Sequence, residues 1–277
     1  VTFDKAAPTL SPVHIQSNNA NTAQAKVGDT VTLTFTSNEN IKTPTVTIAN
    51  HTATVTGGPT SWTATYTMVS GDTPGTVPFS IAFSDSAGNS GTTRTTTTDG
   101  SSVTFDKAAP TLSPVHIQSN NANTAQAKVG DTVTLTFTSN ENIQTPTVTI
   151  ATHTVTVTGG PTSWTATYTM VSDDTPGTVP FSITFSDLAG NSGTKTGTTD
   201  SSSVTFDKAA PTLDQPEDIT KEATSKDGAT VEYDPPTATD LIDDNVTVEC
   251  KPKSGTIFPL GETKVTCTAT DDSGNIS

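Results

Sequence analysis

The chain has 277 residues and a formal net charge of −15, from 28 acidic against 13 basic side chains. Such a surface repels nucleic acid and anionic membranes, and no apolar run approaches the ~20 residues that span a bilayer. Only 31% of residues are hydrophobic, Thr is abundant, and 18 Pro and 19 Gly punctuate the chain, a composition that excludes a helical bundle and indicates an all-β protein with many turns.

The first ten residues, Val-Thr-Phe-Asp-Lys-Ala-Ala-Pro-Thr-Leu, return at Val103–Leu112 and at Val204–Leu213, after 102 and 101 residues. A period near one hundred is the size of a small β-sandwich domain. Val-Thr-Phe alternates like a strand end, and Pro8, Pro110 and Pro211 hold the preceding Ala extended. The stretch reads as a stiff joint in which the last strand of one domain runs into the first strand of the next. It divides the chain into residues 1–102, 103–206 and 207–277. Because a joint opens the chain, the chain reads as a segment of a longer one.

Between joints the elements follow in order. Residues 9–17 open the first domain. Val31, Leu33 and Phe35 alternate with Thr32, Thr34 and Thr36, which predicts a half-buried strand with Thr outward. Val46 and Ile48 predict the next strand and residues 52–55 another. Gly57-Gly58-Pro59 turns the chain into Trp62, Ala64, Tyr66 and Met68. After the turn at 71–75, Val77, Phe79, Ile81 and Phe83 form the longest alternating run. Residues 84–89 are a loop, and the Thr-rich run 92–105 closes the domain. The expected core is Val31, Leu33, Phe35, Val46, Ile48, Tyr66, Val77, Phe79, Ile81 and Phe83, with counterparts 102 residues on. Seven strands at this spacing predict a β-sandwich.

Residues 103–193 repeat residues 1–91 with six differences: Lys42/Gln144, Asn50/Thr152, Ala53/Val155, Gly71/Asp173, Ala82/Thr184 and Ser86/Leu188. None falls on an inward position of the strands just assigned. The Asp-Lys-Ala-Ala-Pro joint, Val-Gly-Asp-Thr-Val-Thr-Leu-Thr-Phe and Phe-Ser-Asp-Ser-Ala-Gly-Asn resemble the tandem immunoglobulin-like repeats of bacterial and archaeal cell-surface proteins, over roughly the first 203 residues. Residues 207–277 share the joint and then resemble the hyalin-repeat (HYR) domain, another immunoglobulin-like sandwich. Pro216–Thr220, Asp234–Asp240, Phe258–Cys267 and Thr270–Asn275 carry that likeness. Gln215 replaces a Cys often found there, and the last strand of the family is expected beyond the final residue. The resemblances imply an all-β chain of three immunoglobulin-like β-sandwich domains in tandem, the last lacking its final strand.

Cys250 and Cys267 lie on strands that neighbour each other in the HYR family. Both fall in one small domain, so they read as one disulfide of an oxidising compartment, with two buried free thiols as the alternative.

In a seven-strand sandwich the entering joint and the loops after the second and sixth strands share one pole. That groups Asp4, Glu39 and Asp85, then Asp106, Glu141 and Asp187. In the third domain it groups Asp207 with Asp240, Asp243 and Asp244 and with Asp271 and Asp272. The turn at the other pole points Asp72 at the second joint, and Asp173 and Asp174 at the third. Converging carboxylates repel unless protonated or bridged, and oxygen-only ligands favour calcium. Similar surface repeats bind calcium at joints, so the resemblance supports the same expectation. Turn-forming Asp and Asn residues are the plainer alternative. His14, His51, His116 and His153 read as surface strand residues. Asn50, Asn245 and Asn275 open N-glycosylation sequons.

No nucleophile elbow, phosphate loop or His-x-x-x-His pair occurs. The resemblance to surface-protein repeats implies a non-catalytic, extracellular spacer at the cell surface, stiffened by calcium, in a cell-wall surface (S-) layer, a surface fibre or an adhesin stalk. The expected partners are neighbouring subunits or domains of the same surface protein, with a host or surface ligand engaged by regions outside this segment, and neither nucleic acid nor membrane. Accessory modules of a large secreted polysaccharide-acting enzyme, or a lectin-like tip, are the alternatives.

Overall fold

The computed structural model describes residues 4–277, and among them every element is a β-strand. The chain divides into two compact units. One comprises Val1–Thr111, Glu141–Gln144 and Phe185–Gly193; the other comprises Leu112–Asn140, Thr145–Thr184 and Thr194–Ser277.

In the first unit, β1 (Leu10–Ser17), β2 (Gln24–Ala25), β3 (Thr30–Ser37), β4 (Thr45–Ile48), β5 (His51–Thr52), β6 (Thr54–Gly57), β7 (Ser61–Thr67), β8 (Gly75–Thr76), β9 (Phe79–Ala82) and β10 (Thr104–Phe105) form one sandwich. One sheet has the order β1-β3-β7-β6, the facing strands run β5-β4-β9, and β10 lies between β2 and β8. This is the immunoglobulin arrangement, with β1, β3, β7 and β6 on one face, β4 and β9 flanked by the short β5 on the other, and only the Ile81–Arg94 bridge where a seventh strand would pair. The joint strand β10 pairs parallel to β2 and antiparallel to β8, so the joint belongs to the first sandwich before it leaves it.

The period-two pattern sets the register. Val31, Leu33 and Phe35 pair with Tyr66, Ala64 and Trp62, and all but Tyr66 are buried. Val46, Ile48, Val77, Phe79, Ile81 and Phe83 are buried as well, and Leu10, Val13, Ile15, Met68 and Phe105 join them in the core. Tyr66 is half-buried because its hydroxyl reaches Asp72. The intervening Thr residues are half-buried rather than fully wet, because Thr32 and Thr34 lie opposite Thr65 and Thr63 and their methyls cover one another across the strands.

Three local expectations are corrected. Residues 52–55 are not one strand: β5 pairs with β4 and β6 with β7, so the chain changes sheets at Ala53. Ala53 is buried, so one of the six differences does touch the core; Val155 is half-buried and belongs to a strand one residue longer. Residues 92–105 form only a bridge at Arg94 and the strand β10. Up to Val103, which is buried, the run between them has no apolar side chain, and its hydroxyls dock on β1 instead: Thr98 Oγ1 accepts from Val13 N and Ser101 Oγ from Ile15 N.

The second copy repeats this order in β11 (Leu112–Ser119), β12 (Gln126–Ala127), β13 (Thr132–Ser139), β14 (Thr147–Ile150), β15 (His153–Val155), β16 (Val157–Gly159), β17 (Ser163–Thr169), β18 (Gly177–Thr178), β19 (Phe181–Ser186), β20 (Ser192–Lys195) and β21 (Thr205–Phe206). Its sheets are β11-β13-β17-β16, β15-β14-β19-β20 and β12-β21-β18. Thr184 in place of Ala82 suits the longer β19, since β-branched residues favour strands. Phe181, unlike Phe79, is only half-buried.

The remaining strands are β22 (Thr212–Leu213), β23 (Ala229–Val231), β24 (Ala238–Thr239), β25 (Thr247–Lys251), β26 (Thr256–Phe258) and β27 (Thr266–Thr270). They pair antiparallel as β22–β24, β23–β26 and β25–β27. Cys250 and Cys267 are directly opposite on β25 and β27 and are joined by a disulfide.

Candidate metal centre

Each copy of the joint carries Asp-Lys at its centre, and the two side chains have separate partners. In the first unit Lys107 Nζ donates to the carbonyls of Ser70 and Asp72, at 2.8 and 2.9 Å. Asp106 instead lies with Glu141 and Asp187, one carboxylate oxygen from each within 4.8 Å of the others. Asp4, Glu39 and Asp85 form the same constellation in that unit, and Asp207, Asp243 and Asp271 form a third in the other. Two like charges at such separations repel by about 3 kcal/mol at an effective dielectric near 20.

A tight turn fixes the last carboxylate of each cluster. Asp85 Oδ1 accepts from Gly88 N and Asn89 N at 2.6 and 2.7 Å, and Asn89 Nδ2 donates to Oδ2 at 2.7 Å. The Asn89 side chain leads in holding this carboxyl below the usual range, against the opposing effect of burial. Asn191 binds Asp187 in the same way and also reaches the Asp106 carbonyl at 3.2 Å. Asn275 binds Asp271 and the Asp207 carbonyl.

The third cluster differs in burial. Asp207, Asp243 and Asp271 are all buried, whereas Asp4 is exposed and Glu39, Asp106 and Glu141 are intermediate. Asp207 is 0% exposed; its Oδ1 accepts from Ala209 N, and its Oδ2 has no donor. Asp243 Oδ2 accepts from Ser273 N at 3.0 Å. Burial, ahead of the neighbouring carboxylates, pushes both Asp207 and Asp243 above the usual carboxylate range. An oxygen-only set with a donorless buried oxygen fits a hard divalent cation.

The other sequence candidates fall elsewhere. Asp72 is buried apart from the clusters and accepts from Val69 N, His51 Nε2 and Tyr66 OH at 2.8, 2.9 and 3.2 Å. Asp174 does the same with Val171, His153 and Tyr168. The His rings stack on the Tyr rings, so His51 and His153 are network members rather than plain surface residues. Asp72 and Asp174 thus lie outside the three carboxylate clusters, and their oxygens are held by protein donors. Asp173 is exposed. Asp240 stays near Asp207, but its Oδ1 caps the Ile242 and Asp243 amides. Asp244 and Asp272 are exposed, and Asp272 accepts from Asn245 Nδ2 at 3.2 Å. Of the sequon asparagines, Asn275 donates its amide to Asp271 and to the Asp207 carbonyl, and Asn50 is exposed in its turn.

Four residues were missed by the sequence reading. Lys26 Nζ donates to Gly190 O and Asn19 Nδ2 to Ala189 O, both at 2.8 Å. Lys128 and Asn121 make the equivalent bonds to Gly274 O and Ser273 O. The turn glycines matter here. Gly190 and Gly274 have φ of +87° and +81°, and a Cβ on either would stand 3.3 or 3.2 Å from the lysine Nζ. The signal available was the Asp-x-x-Gly-Asn turn, a fixed spacing shared by all three loops.

Residues 206–277 match the family model of the HYR domain, about a quarter of the chain. No curated protein matches it. Among solved structures, the I-band fragment I67-I69 from titin is similar at 12% identity and a TM-score of 0.49, covering 99% of this chain and 98% of that one. The N-terminal Ig1-2 module of the Drosophila receptor protein tyrosine phosphatase DLAR covers 74% of this chain and 100% of its own, at 9% identity and a TM-score of 0.25. A Bacteroides ovatus protein of the mixed-linkage glucan utilization locus, SGBP-B, solved with a mixed-linkage heptasaccharide, is 17% identical. It covers 98% of this chain and 66% of its own, with a TM-score of 0.25.

Proposed function

We propose that the chain is a non-catalytic spacer segment of an extracellular, cell-surface protein, with calcium stiffening the joints between its immunoglobulin-like units at 1–102, 103–206 and 207–277. A surface layer, a surface fibre and an adhesin stalk all use such segments. The observation that carries the reading is the recurrence of one joint chemistry. The joint lysine caps carbonyls of the turn behind it, the joint aspartate enters a carboxylate cluster, and the loop that supplies another carboxylate is itself held by Lys26 or Lys128. A strand anchored on both sides bends little, and a cation that removes the repulsion within the cluster removes the force that would open it. Extracellular calcium, near the 10⁻⁴–10⁻³ M affinities of surface modules, would fill such sites.

Small-angle scattering of the full chain tests this, first with calcium and then with a chelator. Chelation should broaden the distribution of dimensions, and Asp106→Asn should do so without chelator. Identical profiles, with no calcium bound by calorimetry, would sink the reading.

A further inference from the structure

We infer that the three clusters are unequal, and that Asp207, Asp243 and Asp271 form a resident, high-affinity divalent-cation site of the calcium class on which the fold of residues 207–277 depends. This rests on the calcium reading above and adds a rank order and a folding role to it.

Two independent observations carry it. The first is the ligand set. All three carboxylates are buried, at 0, 5 and 6% exposure. Asp207 is a member of the cluster, and its Oδ2 is sealed from solvent and has no donor. Among the described residues no lysine, arginine or histidine forms an ion pair with any of the three. A buried carboxylate oxygen with neither donor nor counter-charge is costly, and an oxygen-ligated cation supplies what it lacks. The other two clusters keep an exposed or half-exposed carboxylate that water already serves.

The second is the thinness of the core. Beyond Asp207, the fully buried apolar side chains are Pro211, Ala229 and Ala269, and larger ones such as Leu213, Val231, Val248 and Phe258 are only half-buried. The first sandwich, by contrast, buries Leu33, Phe35, Ile48, Trp62, Phe79 and Ile81 among others. Apolar burial this slight falls short of the ordering entropy of a segment this size, and small segments in that position rely on disulfides and metals. The Cys250–Cys267 disulfide is one staple. The buried cluster ties the joint at Asp207 to the loops at Asp243 and Asp271, which makes it the second. A cation bound only by the folded form contributes its binding free energy to folding. Ligand charge and rigidity separate tight sites from weak ones, so the third site should exceed the others by on the order of a hundredfold in affinity.

The experiment uses the whole chain and calcium as the probe. After dialysis into calcium-free buffer, elemental analysis should find one calcium per chain. Titration should then add further ions with about a hundredfold weaker affinity. Excess EGTA should remove the retained ion and expose residues 207–277 to protease. Fluorescence of Trp62 and Trp164, both in the first two copies, should stay constant. Asp243→Asn should lose the retained ion and Asp106→Asn should keep it; the EGTA arm on the unaltered chain covers a variant that fails to fold. A common affinity for all the ions would overturn the inference and leave the calcium reading standing. So would protease resistance of residues 207–277 in EGTA. No calcium bound at any concentration would overturn both.

Discussion

Replacing Asp72 by Ala removes one buried acceptor from three donors. The Asp72 side chain is 1% exposed, so no water can take its place at Val69 N or Tyr66 OH. Hydrogen bonds to an ionised acceptor contribute about 1.5–3 kcal/mol when buried. The Val69 bond at 2.8 Å deserves that full weight and the Tyr66 bond at 3.2 Å the lower end. His51 is 53% exposed, so solvent screens its share to little. The loss is about 4.5 kcal/mol, or roughly 18–36 °C in the melting temperature of a domain near one hundred residues. The second copy supplies an internal reference, because Asp174 has the same three partners at the same distances. Calorimetry of the full chain should show one transition moving down while its twin stays, and Asp72→Asn, which keeps one acceptor oxygen, should move it less. Tyr66 should also ionise more readily in Asp72→Ala, since Asp72 adds to the burial that raises it. A melting profile that does not split would mean the turn is held by Lys107 and the backbone, with the carboxylate a bystander.

Two further outcomes are expected. Thr152 sits at φ +71° in the two-residue turn between β14 and β15, where Asn50 stands in the first copy; Thr152→Asn should raise stability by about 1 kcal/mol, read by denaturant midpoint, because a β-branched residue is strained there. The Ser101 side chain and amide, with His14 behind them, hold Asp99 below its ordinary value, and Ser202 with His116 takes Asp200 down to about 2. Depressed carboxylates contribute stability that is complete above about pH 4 and is lost as pH falls toward about 2. Acid titration of Asp200→Asn should therefore show a flatter loss across that window, and a curve unchanged from the parent would refute the role of the pair.

Much of this protein was legible in its residues. Alternation at Val31, Leu33 and Phe35 determines which face is inward, because a strand side chain has only two sides to choose from, and the return of Val-Thr-Phe-Asp-Lys marks each joint. Strand order then determines which loops share a pole, so the grouping of Asp4 with Glu39 and Asp85 could be reasoned before any coordinate was seen. The fates of individual polar atoms could not. Asp72 and Asp85 look alike in the chain, yet one is held by His51 and Tyr66 and the other faces two more carboxylates. Lys26 and Gly190 meet across 164 positions, a distance at which no local pattern carries information. Burial decided the difference between three clusters of near-identical composition. Only the packed structure removes water from Asp207 Oδ2, and the cost of that removal is what turns an acidic turn into a site.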